Sequence, residues 1–388
     1  MPDHRHTPDV PCKLTDLGTP CLLLDEMRMT RNIERLKDRL HRLGVTLNPH
    51  LKTAKSIEIA RRLMETRNGR CTVSTLEEAE QFAAAGVRNI TYAVGIAPGK
   101  IARVLALRRT GIGLSLVVDS VEQARAVSAA SRAAQISIPV LIEIDSDGHR
   151  SGIKPGDRAS LLEVARTLYD GGAELRGVLT HAGESYNHVG ASALAAVAEQ
   201  ERASAATAAS LLREAGFPCP VVSVGSTPTA HFARDLTGIT EMRAGVFVFF
   251  DLVMAGIEVC TLDDIALSVL ATVIGHQHDR GWILIDAGWM ALSRDRGTAK
   301  QRVDQGYGVV CDLQGGPFAD LIVVDANQEH GIVAIRPGSS AVLPELPLGS
   351  LVRILPNHAC STAAQHDRYQ VLDDDLRVKG VWNRFRGW

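Results

Sequence analysis

The chain has 388 residues, of which 45% are hydrophobic and 22% charged, and its formal net charge is −2. That length exceeds one ordinary core and implies a large domain with a smaller one. A near-neutral balance without a long basic run excludes nucleic acid as partner, and no apolar stretch has membrane-spanning length.

The start, "MPDHRHTPDVPCKL", is polar, carries prolines and lacks an apolar signal core, so a cytoplasmic protein is expected. Next comes "TPCLLLD", which reads as a strand. The first helix follows, with Met29, Ile33, Leu36, Leu40 and Leu43 at alternating spacings of four and three and Gly44 as the stop. Short apolar runs then alternate with helical segments. The runs are "VTLNPHLK", "CTVS", "NITYAV", "LSLVVD", "PVLIEID", "LRGVLTH", "PVVSVGS" and "EMRAGVFVFFD". Eight near-continuous apolar strands, most followed by a helix, predict a parallel (β/α)8 barrel over residues 20–260. An open doubly wound sheet would need a dinucleotide fingerprint after its first strand, and none is present. After residue 260 the texture turns β-rich in "IALSVLATVIGHQ", "GWILIDAG", "ADLIVVDA", "HGIVAIRPG" and "SLVRILPNH". The expectation is a β domain over 261–388, with residues 1–19 packing as a tail or strand beside it. The seven cysteines include no CxxC pair, which argues against a disulfide framework.

Barrel enzymes carry their chemistry at the C-terminal ends of the strands. Polar residues recur there: Lys52, Ser74, Asp147 to Arg150, His181, Gly225 to Thr227, and Arg243 with Gly245. "VGSTPT" is a small, hydroxyl-bearing turn of the kind that cradles a phosphate, and "RAGVF" brings a second glycine. "GIAPGK" is one residue short of a P-loop and has Ile101 where a magnesium-binding hydroxyl belongs, so it is excluded. A phosphate cradle with a strand-end lysine points to pyridoxal phosphate, held as a Schiff base. The residues alone leave Lys52 and Lys55 both open, and a solvated surface lysine is the bland alternative for each. "PNHACST" places His358 and Cys360 two apart after a strand. On one strand face, imidazole and thiolate would grip one zinc-like ion and leave open positions for a substrate.

Taken together, "PHLKTAKS", "TVSTLEEAEQFAAAG", "IEIDSDGHRSGI", "LTHAGESY", "SVGSTPT", "MRAGVFVFFD", "DAGWMALSRDRG", "NQEHG" and "LPNHAC" resemble the D-serine dehydratase and D-threonine aldolase group. The likeness runs from about Thr19 to the C-terminus. It implies an alanine-racemase-like α/β TIM barrel with a C-terminal β domain, pyridoxal 5′-phosphate, and a divalent ion such as zinc, manganese or cobalt. Carried over position by position, it makes Lys52, not Lys55, the lysine that holds the cofactor and moves the substrate proton. It gives Arg150 the cofactor's phenolic oxygen, and makes His181 and Tyr186 its lining. Ser226, Thr227, Gly245 and Val246 become the phosphate cradle, Arg243 faces the pyridine nitrogen, and His358 and Cys360 bind the metal.

Aldolases of the group resemble His-x-Asp at the metal, whereas dehydratases resemble His-x-Cys, as in this chain. The resemblance therefore implies elimination of water from a 3-hydroxy-D-amino acid. D-threo-3-hydroxyaspartate comes first among candidate substrates, followed by D-serine and D-threonine. The alternatives are an aldolase releasing glycine and an aldehyde, and a non-catalytic carrier of the cofactor. A substrate β-carboxylate calls for a cation near the metal, with Arg294, Arg296 and Lys300 as candidates. A homodimer is implied by the resemblance alone. Pro49 and His50 are expected only to shape the strand exit and the pocket wall.

Overall fold

The computed structural model describes residues 12–64, 66 and 69–388. The chain divides into two compact units. One comprises the chain up to Ile33 together with Val246–Arg384, the other Glu34–Gly245 with Phe385–Trp388. The division thus falls after Gly245, earlier than the expected boundary at 260. Part of the expected N-terminal tail lies outside the described residues.

The chain begins with β1 (Cys21–Asp25) and α1 (Glu26–Arg42). Met29, Ile33, Leu36 and Leu40 form the buried stripe of α1, as their spacing requires. Eight strands follow: β2 (Thr46–Leu47), β3 (Arg70–Val73), β4 (Asn89–Gly95), β5 (Gly113–Val118), β6 (Pro139–Ile144), β7 (Glu174–Thr180), β8 (Val221–Val224) and β9 (Glu241–Met242). They pair in parallel in the order β2-β9-β8-β7-β6-β5-β4-β3. The two ends of that row meet at a parallel bridge between His50 and Thr72. The result is the (β/α)8 barrel of the sequence pattern. Every residue of β6 is buried, as expected of a strand covered on both faces. Between the strands run α2 (Ile57–Leu63), α3 (Leu76–Ala84), α4 (Ile101–Arg109), α5 (Val121–Ala134), α6 (Arg158–Asp170), α7 (Ala191–Glu214) and α8 (Thr227–Phe232).

One strand is much shorter than its apolar run suggests. "EMRAGVFVFFD" contributes only Glu241 and Met242 to the barrel. Beyond Gly245 the chain enters a 3-10 turn, and Phe247, Phe249 and Phe250 are buried in the other unit's core, with the Phe249 and Tyr369 ring centroids 5.6 Å apart. Continuous hydrophobicity marked burial here, not strand.

The other unit is antiparallel apart from one pair. After α9 (Leu252–Gly256) come β10 (Leu267–Gln277), β11 (Trp282–Ile285), α10 (Trp289–Leu292), β12 (Gly308–Cys311), β13 (Pro317–Ala326), β14 (Gly331–Ile335), β15 (Leu351–Pro356), α11 (Ala359–Ala363), β16 (Arg368–Leu372) and β17 (Val378–Asn383). Strands β10, β11, β14, β13, β12 and β15 close on themselves through the β10–β11 pairing, forming a small β-barrel. Strand β1 joins it, antiparallel to β10 and parallel to β16. No described helix is long and apolar enough to cross a membrane.

Close approach of strands dictates one glycine in the first barrel. Gly177, on β7, has φ +137°, and a Cβ there would lie 1.9 Å from the Val221 carbonyl of β8. Gly177→Ala must strain the backbone and push the strands apart. It should destabilise the protein by about 3 kcal/mol or more, read as a lower denaturant midpoint.

Candidate active site and metal pair

Lys52 follows the strand-closing residues Pro49 to Leu51. Its side chain is exposed, and its backbone N–H points toward His50 Nδ1 at 3.5 Å. Among the described residues no hydrogen bond or ion pair engages its amine. Lys55 is different: its ammonium pairs with buried Glu78 at 3.2 Å. Tertiary structure thus separates two lysines that periodicity left equal.

Around Lys52 the strand ends bring Arg150, His181 and Arg243 to bear on His50. Burial first, and then the charges of Lys52, Arg243, His181 and Arg150, push the His50 imidazole well below its usual value of 6.5. Burial also drives His181 down to about 3. Its Nδ1–H donates to the Gly225 carbonyl at 2.8 Å, which opposes the shift, while Arg150, Lys52 and Arg243 add to it. Both rings are therefore neutral near pH 7. Arg243 is fully enclosed. It donates to the Ser223 hydroxyl at 2.6 Å and to the Thr180 carbonyl. Arg150 is exposed and lies 3.9 Å from Glu143, whose carboxyl is raised by burial. The Tyr186 ring is tilted against His181, centroid to centroid 6.4 Å.

Ser226 caps the short helix α8. Its hydroxyl accepts the Thr229 N–H at 3.2 Å and lies 2.9 Å from the Ser185 hydroxyl, which joins the turns after β8 and β7. Thr227 is buried beside it. Gly245 lies where a Cβ would crowd the His50 carbonyl at 3.0 Å and the Thr53 hydroxyl at 3.1 Å, so a side chain there would push its neighbours back by a few tenths of an ångström. Val246 opens the other unit and accepts the Phe249 and Phe250 amides through its carbonyl. The (β/α)8 unit thus assembles an uncommitted primary amine, two guanidinium groups, neutral imidazoles and small hydroxyls. That donor set fits a phosphorylated aldehyde such as pyridoxal phosphate.

His358 and Cys360 do not share a strand face, contrary to expectation. Strand β15 ends at Pro356, because the Asn357 side chain turns away to bond the Thr298 amide and hydroxyl and the Gly306 carbonyl. His358 then caps α11, and Cys360 falls in its first turn. The two side chains still meet. Burial would lower the His358 pKa, but hydrogen bonds to Asp295 and the Cys360 thiol raise it to about 11. Its Nδ1 lies 2.6 Å from the Asp295 carboxylate, which leaves Nε2 as the nitrogen available to a metal. Asp251, raised by burial, accepts the Ala359 N–H and fixes the start of α11. No cluster of three or more His, Cys, Asp or Glu residues forms a metal cage among the described residues. A two-ligand imidazole–thiol pair with an oriented histidine fits an open divalent site.

Several participants gave no chemical motif: His50, Ser185, Glu201, Asp251 and Asp295. One was readable in hindsight. Glu201 falls on the buried stripe of α7 formed by Leu194, Val197, Ala198, Ala205 and Ala208. A carboxylate on an apolar helix face needs partners. Arg294 stacks on Trp289 at 4.5 Å, Arg296 pairs with Asp304 at 2.6 Å, and Lys300 is exposed.

Comparison with known proteins agrees with this architecture. Residues 24–253 match the alanine racemase N-terminal domain and residues 266–372 the putative serine dehydratase domain. The chain belongs to this alanine-racemase-fold serine dehydratase family. Within it, the chain is 54% identical over 377 residues to D-threo-3-hydroxyaspartate dehydratase of Delftia sp. (strain HT23), covering 97% of this chain and 99% of that protein. The solved structure of that protein superposes with a TM-score of 0.94, covering 97% of this chain and all of the other (100%), at 53% identity. A solved variant of it has a cysteine replaced by alanine and is in the metal-free form; another replaces a histidine two positions earlier. D-threonine aldolase of Arthrobacter sp. is 30% identical, over 95% of this chain and 92% of that protein.

Histidine electrostatics in this family member carry a pH signature. His181 takes a proton at 6.5 when unfolded but only near 3 when folded, so the unfolded state binds more protons between those values. Stability should fall as pH drops from about 6.5 toward 3 and level off above 6.5. His181→Asn should flatten that slope in melting temperatures measured across the window.

Proposed function

We propose that the chain eliminates water from a 3-hydroxy-D-amino acid, with D-threo-3-hydroxyaspartate as its substrate and oxaloacetate and ammonia as products. The observation that carries this reading is 54% identity, along nearly the whole chain, to a dehydratase of that substrate. The metal pair supports it, since Cys360 stands where the aldolases of the group resemble an aspartate.

In this reading Lys52, Arg150, His181, Tyr186, Ser226, Thr227, Arg243, Gly245 and Val246 hold pyridoxal phosphate, and His358 with Cys360 holds a divalent ion. When bound, the cofactor supplies a ring that takes up the charge left at Cα, and the metal supplies Lewis acidity toward the β-hydroxyl. Lys52 removes the Cα proton. Its amine is uncommitted, whereas that of Lys55 is tied to Glu78. Neutral His181, held by the Gly225 carbonyl, offers a flat uncharged face. Asp295 and Ser361 orient the His358 ring through Nδ1. Loss of water leaves an enamine that hydrolyses to the 2-oxo acid and ammonia. On resemblance we also infer a cytoplasmic homodimer.

Product analysis tests the reading. The purified protein with D-threo-3-hydroxyaspartate should release ammonia and oxaloacetate, and Lys52→Ala should lower kcat by at least about a thousandfold. Glycine with an aldehyde would instead establish the aldolase alternative. Arg294 borders Asp295 and has no carboxylate partner among the described residues, so it is the cation we assign to the substrate β-carboxylate. Arg294→Ala should raise KM for 3-hydroxyaspartate about tenfold and leave KM for D-serine unchanged.

A further inference from the structure

One buried carboxylate beneath the strand ends has no part in the chemistry above. Glu201 projects from the middle of α7, out of the alanine-rich run "AAVAEQERASAA", and is 1% exposed. Its Oε1 accepts two backbone N–H groups at 2.9 Å each, from Ala182 and from Gly225. These amides belong to different turns. Ala182 follows His181 after β7, and Gly225 precedes Ser226 after β8. The Thr229 side chain hydrogen-bonds the same carboxylate.

The two turns are joined in other ways that depend on this anchor. The Gly225 peptide is held from both sides, its N–H by Glu201 and its carbonyl by His181 Nδ1. Ala182 is held likewise, its N–H by Glu201 and its carbonyl by the Ser185 hydroxyl, which also meets Ser226. Neither Ala182 nor Gly225 has another acceptor for its amide among the described residues, so removing Glu201 leaves two buried donors unpaired. A carboxylate in an apolar helix stripe costs desolvation, which its three hydrogen-bond partners offset.

We propose that Glu201 is a positioning residue. It fixes the His181 ring and the Ser226–Thr227 turn in one register, so that the pocket discriminates for the phosphate of its cofactor. The inference rests on the cofactor reading above. What matters is reach and acceptor geometry. A glutamine keeps an oxygen at the same distance from both amides, while an aspartate keeps the acid but is one methylene too short.

The test measures binding of pyridoxal 5′-phosphate and of unphosphorylated pyridoxal to apoprotein, by absorbance titration, for the parent, Glu201→Gln, Glu201→Asp and Glu201→Ala. Apoprotein melting temperatures are recorded alongside. Glu201→Gln should keep the parent's preference for the phosphorylated form. Glu201→Asp should lose about tenfold or more of that preference, with pyridoxal binding little changed, and Glu201→Ala should do the same if it folds. The proposal is overturned if Glu201→Asp keeps the preference, if Glu201→Gln loses it as badly as Glu201→Asp, or if both ligands weaken equally alongside a lower melting temperature. A parent protein that binds neither compound would refute the cofactor reading itself, which is a different result.

Discussion

The (β/α)8 barrel is closed by a few backbone hydrogen bonds around Pro49, and the position of Lys52 depends on them. Strand β2 has only two residues, so pairing alone holds it weakly. Closure comes from the residues just after it. The Pro49 carbonyl accepts the Thr72 N–H at 2.9 Å, and the Leu51 N–H donates back to the Thr72 carbonyl at 2.9 Å. On the other side His50 N–H donates to the Ala244 carbonyl at 2.8 Å. Proline has no N–H to offer and here serves only as an acceptor. The bridge consumes the polar backbone of Pro49 to Leu51, and Lys52 is the next residue, with its side chain outside. A stretch that looks irregular in sequence is the seam of the sheet.

Side chains reinforce that seam. Glu241 on β9 accepts from Asn48 at 3.0 Å, from Ser223 of β8 at 2.7 Å and from Arg70 of β3 at 3.0 Å, and Thr72 donates to Asn48. Three strands and the residue that follows β2 thus share one buried carboxylate. The same device recurs at Glu201, which ties two turns, and in the β unit at Asn357 and Asp251, which fix the segment carrying His358 and Cys360. Glu241 takes side-chain donors, whereas Glu201, Asn357 and Asp251 accept backbone amides from distant parts of the chain. Such groups are costly unless fully paired, and once paired they hold loops rigidly.

Electrostatics in the pocket follow from the same crowding. Burial first, and then the cations that converge at the strand ends, keep His50 and His181 neutral. His358 shows the opposite outcome. Beside a carboxylate, a thiol and a second buried acid, its proton is retained up to about 11. Identical side chains adopt opposite states because their neighbours differ in sign.

Amino-acid pattern alone fixed a good deal of this molecule. Alternating apolar runs and helical stripes determined the eight-stranded barrel and the β-rich remainder, because period and burial are local properties of the chain. The strand-end polar residues were legible too, since barrels place chemistry there, and the resemblance ordered them into cofactor and metal groups. Local pattern failed where the outcome hinged on distant partners. "VFVFF" was apolar enough for a strand yet packs into the other unit, and His358 with Cys360 meet across a helix cap, not along a strand. Pairing with Glu78 ties down Lys55 and leaves Lys52 uncommitted, and Glu201 gains its purpose only from Ala182 and Gly225. Those decisions depend on hydrogen bonds, ion pairs and packing with residues distant in sequence, which come together only when each unit has folded.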